Sequence, residues 1–317
     1  MEQIKRTHTC GDLRKCDDGK TVILNGWVHR IREHGGITFI NLRDRYGITQ
    51  VVVDSDASEK LLDTAKALRM EFCIAIEGQV RARPDSMINK DMTTGEIELV
   101  AKDIEILSKS DVLPFMIDEV QKDGTPVIPN EDLRLKYRYL DLRTAKMQHN
   151  IILRSKVAFA TREYLTEKGF LEIETPIMQN IASGAAARPF TTHHNALDTD
   201  FQLRISPELF LKQAIGAGFD RVYEVAKDFR NEGMDTKHNP EFTSIELYQA
   251  FTDFRGMMDL VEDMMKTVAM NVCGTLKINY QGTEIDLGNW ERLTMIEAVK
   301  KYSGVDFAEV SSDEEAI

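Results

Sequence analysis

Between Val22 and Leu107, apolar positions alternate with polar ones in five short β-branched runs bounded by polar turns: VILNGWVHRI, ITFINLRD, ITQVVVD, FCIAIEGQV and IELVAKDIEIL. A period of two sends successive side chains to opposite faces, so each run reads as a strand with one buried face. Short strands at this spacing predict a small closed barrel rather than βαβ units. One interruption is helical: Leu61, Leu62, Ala65 and Leu68 fall roughly on one helix face between the third and fourth runs.

The second half has a different rhythm. Leu153, Val157, Ala160 and Tyr164 sit at helical spacing, with Gly169 placed to end that helix as its C′ residue. Phe170 to Met178 reads as a strand entering Thr175-Pro176. Ser206-Pro207-Glu208-Leu209 supplies an N-cap serine, a proline at the first helical position and an acid in the first turn. The helix it starts should end near Gly216 or Gly218. RVYEVAKDF and EFTSIELYQAF then predict an antiparallel hairpin, joined by a long charged loop from Arg230 to Pro240. Residues 108–146 carry Pro114, Pro126 and Pro129 and keep no period, which reads as a linker.

The expected fold class is α+β. Residues 1–107 should form an OB-fold β-barrel of five strands with a helix before the fourth. Residues 108–147 should be a linker, and 148–317 an antiparallel-sheet domain. No G-x-G-x-x-G or GKS/T sequence supports a Rossmann fold or a P-loop. Near the end, Ser312-Asp313-Glu314-Glu315 is a capping box that starts a helix the sequence does not continue, so an incomplete chain is expected.

Composition narrows the picture less than pattern does. A length of 317 residues suggests about two domains. No segment approaches the roughly 18 uninterrupted apolar residues of a membrane span, and the N-terminus lacks a signal peptide's apolar stretch. A soluble cytoplasmic protein without a membrane partner is expected. Cys10, Cys16, Cys73 and Cys273 show no CxxC spacing and no histidines placed to complete a zinc site, so free thiols are expected. The net charge of -12 argues against indiscriminate nucleic-acid binding, although local patches outweigh totals. Arg134, Lys136, Arg138, Arg143 and Lys146, interleaved with Tyr137 and Tyr139, form one such patch, or else a solvated helix start.

Strand phase gives the hairpin its chemical interest. Phe242, Ser244, Glu246 and Tyr248 point one way, and Thr243, Ile245 and Leu247 the other. The second set reads as core. The first lines up an aromatic ring, a carboxylate and a phenol, as a binding surface would, or a solvated face with two amphipathic aromatics.

Phe229-Arg230-Asn231-Glu232, followed by His238-Asn239-Pro240-Glu241-Phe242-Thr243, resembles motif 2 of the class II aminoacyl-tRNA synthetases. Lys168-Gly169-Phe170-Leu171-Glu172-Ile173-Glu174-Thr175-Pro176 is similar to motif 1, whose proline, here Pro176, implies a homodimer interface. The resemblance implies that Arg230 holds the ATP α-phosphate and is catalytic. It also implies that Glu232 and Asn239 place the adenosine, Phe242 stacks on the base and His238 sits near the distal phosphates.

Glu208, Glu246 and Tyr248, with Gly184, match pocket positions of lysyl-tRNA synthetases. Ala182-Ser183-Gly184-Ala185-Ala186-Ala187-Arg188-Pro189-Phe190 and His193-His194-Asn195-Ala196-Leu197-Asp198 look lysyl-type as well. That resemblance implies ATP-dependent activation of L-lysine and its transfer to tRNA(Lys) through an aminoacyl-adenylate. Glu246 would meet the side-chain amine, Tyr248 would support it, and Glu208 would take the α-amino group. For Glu208 alone, helix capping through the macrodipole is the alternative. A cationic substrate side chain needs such an anionic partner, since an unpaired ammonium in a pocket is costly. An aspartate pocket would need cations, and none alternates with Phe242 on this strand, although Lys212 follows Glu208 by one helical turn.

The N-terminal half instead resembles aspartyl-tRNA synthetases, in Arg6-Thr7-His8-Thr9-Cys10-Gly11, Gly26-Trp27-Val28-His29-Arg30, Phe39-Ile40-Asn41-Leu42-Arg43-Asp44 and Leu135 to Arg143. Both enzymes share an OB-fold that reads anticodons with a central U. By that resemblance Phe39 stacks on a base, worth roughly 1 to 3 kcal/mol. Gln50 would read a uracil edge and Arg32 contact phosphate or base. Spacing alone allows Phe39 to be ordinary core. Nothing after Glu246 resembles motif 3, and the family's acidic Mg²⁺ ligands would lie beyond Ile317, with no metal ligands inside the chain. An aspartyl or asparaginyl enzyme and a non-catalytic tRNA-binding paralogue remain alternatives at this level.

Overall fold

A computed structural model describes residues 5–118, 120, 124–310 and 312 and divides into two compact units, Met1–Ile152 and Leu153–Ile317. In the first, β1 (Thr21–His34), β2 (Ile37–Arg43), β3 (Ile48–Val53), α1 (Glu59–Ala67), β4 (Cys73–Ala82) and β5 (Ile97–Ser108) build a closed barrel in the strand order β1-β2-β3-β5-β4. Every pairing is antiparallel except β3 with β5, which run parallel. This is the expected OB-fold, with α1 between the third and fourth strands. Ser58 caps α1 by accepting the Leu61 N–H at 3.3 Å, and Leu61, Ala65 and Leu68 are buried against the barrel.

The barrel core is the inward half of each alternating run: Val22, Leu24, Val28, Ile40, Leu42, Val51, Val53, Ile74, Ile76, Ile97 and Leu99. In β1 a bulge between Val28 and Arg30 shifts the register, pairing Val28 with Leu42 but Arg30 with Asn41. The extra residue reverses the phase, so Ile31 packs on the core while Arg30 and Arg32 turn outward. Without it, both arginines would enter the barrel.

One buried ion cluster ties this unit together. Glu71, in the left-handed region at φ 63°, accepts two hydrogen bonds from Arg43 at 2.8 and 2.9 Å and one from Arg143 at 2.9 Å. Arg43 in turn bonds His29 Nδ1 at 2.7 Å. A guanidinium only donates, so Nδ1 accepts, which fits burial and the Arg43 charge holding His29 below its usual range. The Arg143 guanidinium lies 4.7 Å from the Trp27 ring centre.

After β5 come α2 (Glu131–Lys136), α3 (Arg138–Asp141) and α4 (Ala145–Glu167). The segment read as a linker thus holds two helices too short to show a period in sequence. The basic patch is largely engaged within the molecule. Arg134 bonds Asp141 at 2.8 Å, Arg138 bonds the same carboxylate, and Arg143 is committed to Glu71. Phosphate would have to compete with those carboxylates, so the structural alternative is favoured over an open RNA-facing patch.

The division between units falls inside α4. Gly169, at φ 80°, ends this helix as C′: Phe170 N–H bonds Leu165 C=O at 2.9 Å and Gly169 N–H bonds Thr166 C=O at 3.0 Å. Unit two continues with β6 (Leu171–Glu172), β7 (Met178–Gln179), β8 (Thr191–His194), β9 (Thr199–Leu203), α5 (Glu208–Gly216), β10 (Arg221–Phe229) and β11 (Glu241–Gln249). Then follow α6 (Phe254–Cys273), β12 (Lys277–Tyr280), β13 (Thr283–Asp286) and α7 (Met295–Ser303). The sheets are β11-β10-β6, β7-β9-β8 and β12-β13. The single strand expected over Phe170 to Met178 is broken into β6 and β7. Pro176 has no N–H for a ladder, and the Thr175 carbonyl is taken by the Arg204 side chain at 3.1 Å.

On one side of the β10–β11 hairpin, Tyr223 packs with Tyr164, Leu165 and Phe170, and Val225, Leu247, Leu260 and Met264 close around them. Only part of the expected β11 core face takes part. Leu247, paired with Tyr223, is half-buried, whereas Thr243 is exposed and Ile245 is 38% exposed. Those two lie toward the loop end of an edge strand, past the packed cluster. The capping box at Ser312 to Glu315 lies outside the described residues. Among the described residues no helix is long and apolar enough to cross a membrane. The four cysteines are free, with Cys10 buried and Cys16 and Cys273 exposed.

Removing one partner of a buried ion cluster leaves the others unpaired, a loss of roughly 3 kcal/mol. Glu71→Ala should therefore lower barrel stability by about that amount in urea unfolding, against a change within about 0.5 kcal/mol for exposed Lys66→Ala.

Candidate active site

The hairpin register places residues of both strands on one face. Asp228 pairs with Phe242, Ala226 with Ser244, Glu224 with Glu246 and Val222 with Tyr248. Beneath this face lies a dense buried network. Arg204, 2% exposed, donates to Glu224 at 2.7 Å, to Thr175 Oγ1 at 2.9 Å and to the Lys227 carbonyl at 2.8 Å, and its Nε stands 3.5 Å from Asp228. Thr175 donates to the second Glu224 oxygen at 2.7 Å, and Ser244 donates to Asp228. Two carboxylates and one guanidinium thus fix β10 and β11 to the chain on either side of β7 and β9.

Above that floor, Glu246 accepts from Ser206 Oγ at 2.9 Å and from Tyr248 OH at 3.0 Å, one donor per oxygen. Burial and the Glu246 carboxylate push the Tyr248 phenol well above its usual range, so it stays protonated and donates. Ser206 also accepts the Glu208 N–H at 3.1 Å, and Pro207 has helical angles, so serine caps α5 as its sequence suggested. At the far end Gly218, at φ 99°, terminates the helix. The Glu208 carboxylate pairs with Lys212 at 2.6 Å, and that ammonium lies 5.9 Å from the Tyr248 ring centre. Gly184, at φ 89°, closes the group: a Cβ there would stand 2.9 Å from both Glu208 Cβ and Ser206 Oγ. Gly184, Glu208, Glu246 and Tyr248 are therefore gathered in one place. That group holds two carboxylates and one ammonium, Lys212, which is paired with Glu208.

Further along the same face, Arg230, Glu232, His238, Asn239 and Phe242 line a cavity of about 280 Å³ with Gly233, Lys237 and Pro240. The Arg230 guanidinium lies 5.2 Å from the Phe242 ring centre, and its buried Nε has no hydrogen-bond partner. An arginine half-buried and partly unpaired beside an aromatic ring suits an anion attached to a flat base. The loop is held at both ends: Arg230 N–H bonds the Pro240 carbonyl at 2.8 Å, and Asn231 N–H bonds the Arg188 carbonyl at 2.8 Å. Glu232 accepts the Arg188 N–H at 3.3 Å, and His238 pairs with Asp235 at 2.7 Å in the exposed part of the loop. Phe242 and Glu246 are four residues apart on one strand, a separation of roughly 13 Å.

In the barrel, Arg32 pairs directly with Phe39, and Gln50 pairs with Asn41, two residues from Phe39. Phe39 is half-buried while its neighbour Ile40 is core, which favours the outward-facing alternative for its ring. Arg30, Arg32, Phe39, Asn41 and Gln50 thus share the outer barrel face. Pro176 is exposed, between β6 and β7.

Residues that the sequence reading passed over are Arg204, Glu224, Asp228 and Thr175 under the face, Asn41 and Arg30 on the barrel, and Ser206 as more than a cap. A signal was present for two of them, since Glu224 and Asp228 alternate with Val222 and Ala226 on a strand flanked by apolar residues. Among the described residues no group of three or more His, Cys, Asp or Glu side chains gathers as a metal site.

The first unit is thus an OB-fold barrel, and the second carries an antiparallel hairpin with a lined cavity. Residues 130–315 match the family described as tRNA synthetases class II (D, K and N), and residues 22–107 match the OB-fold nucleic acid binding domain. The chain belongs to the class II tRNA synthetases of this group. It is 53% identical over 267 residues to an aspartate–tRNA(Asp/Asn) ligase of Treponema denticola, covering 84% of this chain and 44% of that protein. It is 44% identical over 324 positions to a lysine–tRNA ligase of Thermoanaerobacter pseudethanolicus, covering 100% of this chain and 62% of that protein. A lysine–tRNA ligase of Clostridium novyi is 43% identical over 321 positions, covering 99% of the chain and 60% of the relative. The chain therefore spans about half to three-fifths of the length of these relatives.

The contacts at Gly184 make a specific prediction. Gly184→Ala should destabilise unit two by about 1 to 3 kcal/mol, through strain at positive φ and overpacking against Ser206 and Glu208. Gly233→Ala, with open space around its added carbon, should change stability by less than about 0.5 kcal/mol in the same unfolding measurement.

Proposed function

We propose that this protein activates L-lysine with ATP and transfers it to tRNA(Lys), as a homodimeric cytoplasmic synthetase. Residues 1–107 form the anticodon-binding domain, 108–147 the linker and 148–317 the catalytic domain. The observation that carries the reading is the pair of carboxylates, Glu208 and Glu246, set with Tyr248 and Gly184 on the strand face that also presents Phe242 and Arg230. A substrate with two ammonium groups fits two carboxylates gathered on one face.

In this reading Phe242 stacks on adenine, while Glu232 and Asn239 orient the adenosine and His238 stands near the distal phosphates. The lysine carboxylate oxygen attacks the α-phosphorus of ATP, forming the acyl-phosphate bond as pyrophosphate leaves with the electron pair of the broken P–O bond. Negative charge grows on the α-phosphoryl oxygens, and the preorganised Arg230 guanidinium stabilises it better than water does. No protein nucleophile is needed, so catalysis is positioning and electrostatics. Glu208 takes the α-ammonium, displacing Lys212, whose exposed helical pairing is worth only about 0.5 kcal/mol. Glu246 takes the ε-ammonium. Phe39, Gln50 and Arg32 hold the anticodon on the outer barrel face, and Pro176 lies at the dimer interface.

Two measurements test the parts separately. Glu246→Gln should raise the KM for lysine in ATP–pyrophosphate exchange by at least about tenfold, the loss of a charged hydrogen-bonded partner, with little change in the KM for ATP. Equal effects on both substrates would remove Glu246 from the side-chain pocket. Phe39→Ala should raise the KM for tRNA by roughly tenfold and leave adenylate formation intact; an unchanged tRNA KM would remove Phe39 from the tRNA contact.

A further inference from the structure

Ser206 does two things with one hydroxyl. Its oxygen accepts the Glu208 N–H at 3.1 Å, and it lies 2.9 Å from Glu246 Oε1. An ionised carboxylate only accepts, so the single hydroxyl proton is directed at Glu246. Tyr248 occupies the other Glu246 oxygen at 3.0 Å, which fixes the plane of the carboxylate from both sides. Ser206 itself has no freedom to turn away: it is 5% exposed, and the Gly184 backbone is close enough that a Cβ there would lie 2.9 Å from Ser206 Oγ and 3.1 Å from Ser206 Cβ.

We propose that Ser206 is a positioning residue for amino-acid selection, holding Glu246 in the orientation that receives a terminal side-chain ammonium. This rests on the lysine reading above. A helix cap alone would serve Glu208 and the α-amino group that every amino acid carries. The proton aimed at Glu246 serves only substrates with a cationic end, so the same residue links recognition of the common part of the substrate to recognition of its distinguishing part.

Exchange kinetics of Ser206→Ala, Glu246→Gln and the double variant test this, with norleucine, which lacks the ε-ammonium, as a competitive inhibitor. Ser206→Ala should raise the lysine KM roughly tenfold, as expected for loss of a hydrogen bond to a charged group. The KM for ATP, kcat and the norleucine Ki should each move less than about twofold. In the Glu246→Gln background the same substitution should add less than about twofold, because its effect passes through that carboxylate. Ser206→Cys, similar in size with a weaker donor, should show the same pattern at smaller amplitude, which guards against a folding defect in the alanine variant.

Equal losses for lysine and norleucine would place the effect at the helix start and Glu208 and overturn the proposal. So would an undiminished effect in the Glu246→Gln background, or an unchanged lysine KM. A full-length wild-type enzyme that shows no lysine-dependent exchange would overturn the lysine reading and this proposal with it. A lysine-responsive wild type with an indifferent Ser206→Ala would overturn this proposal alone.

Discussion

A guanidinium buried between two carboxylates sets the geometry on which the catalytic half depends. Arg204 is 2% exposed, with Glu224 and Asp228 on the central strand as its charge partners and Thr175 and the Lys227 carbonyl completing its hydrogen bonds. Charges this deep are stable only when paired and bonded together, so the arrangement tolerates little displacement. Because Asp228 is bonded by Ser244 and Glu224 lies opposite Glu246, the network also fixes β11. Two residues on from Arg204, Ser206 reaches Glu246 directly. The side chains that face a ligand are therefore seated on a layer of others that cannot easily move.

The family described as tRNA synthetases class II (D, K and N) spans more than one amino acid, and the charge around Glu208 and Glu246 supports the proposed choice of lysine. Relatives named for lysine and for aspartate both match this chain at 44 to 53% identity. In the proposed reading an anticodon barrel can be shared, because its outer face would meet RNA and not the amino acid. The amino-acid pocket cannot. Among the described residues Lys212 is paired with Glu208, and Glu246 has hydroxyl donors and no ion-pair partner. A substrate carboxylate placed there would meet like charge, whereas an ammonium completes the set.

Much of this was legible in the sequence where one residue determines one local outcome. Alternation gave the five barrel strands and both strands of the hairpin, and capping chemistry gave Gly169, Ser206 and Gly218 their places. Strand phase put Phe242 and Glu246 on one face. What escaped detection depends on contacts distant in sequence. Arg204 and Glu224 meet only because β9 and β10 come together, and the second role of Ser206 appears only when β11 lies beside α5. The bulge in β1 is another case: an unbroken alternation through Arg30 and Arg32 would have pointed both inward. The face holding Thr243 and Ile245 was misread because period two reports which residues share a side, not whether anything covers it.

The central claim is that the pocket selects an amino acid with a second ammonium group. The most direct measurement is ATP–pyrophosphate exchange by the protein with lysine, aspartate and asparagine supplied one at a time. The account predicts exchange that depends on lysine and stays at background with the other two. Exchange driven by aspartate or asparagine and not by lysine would contradict it.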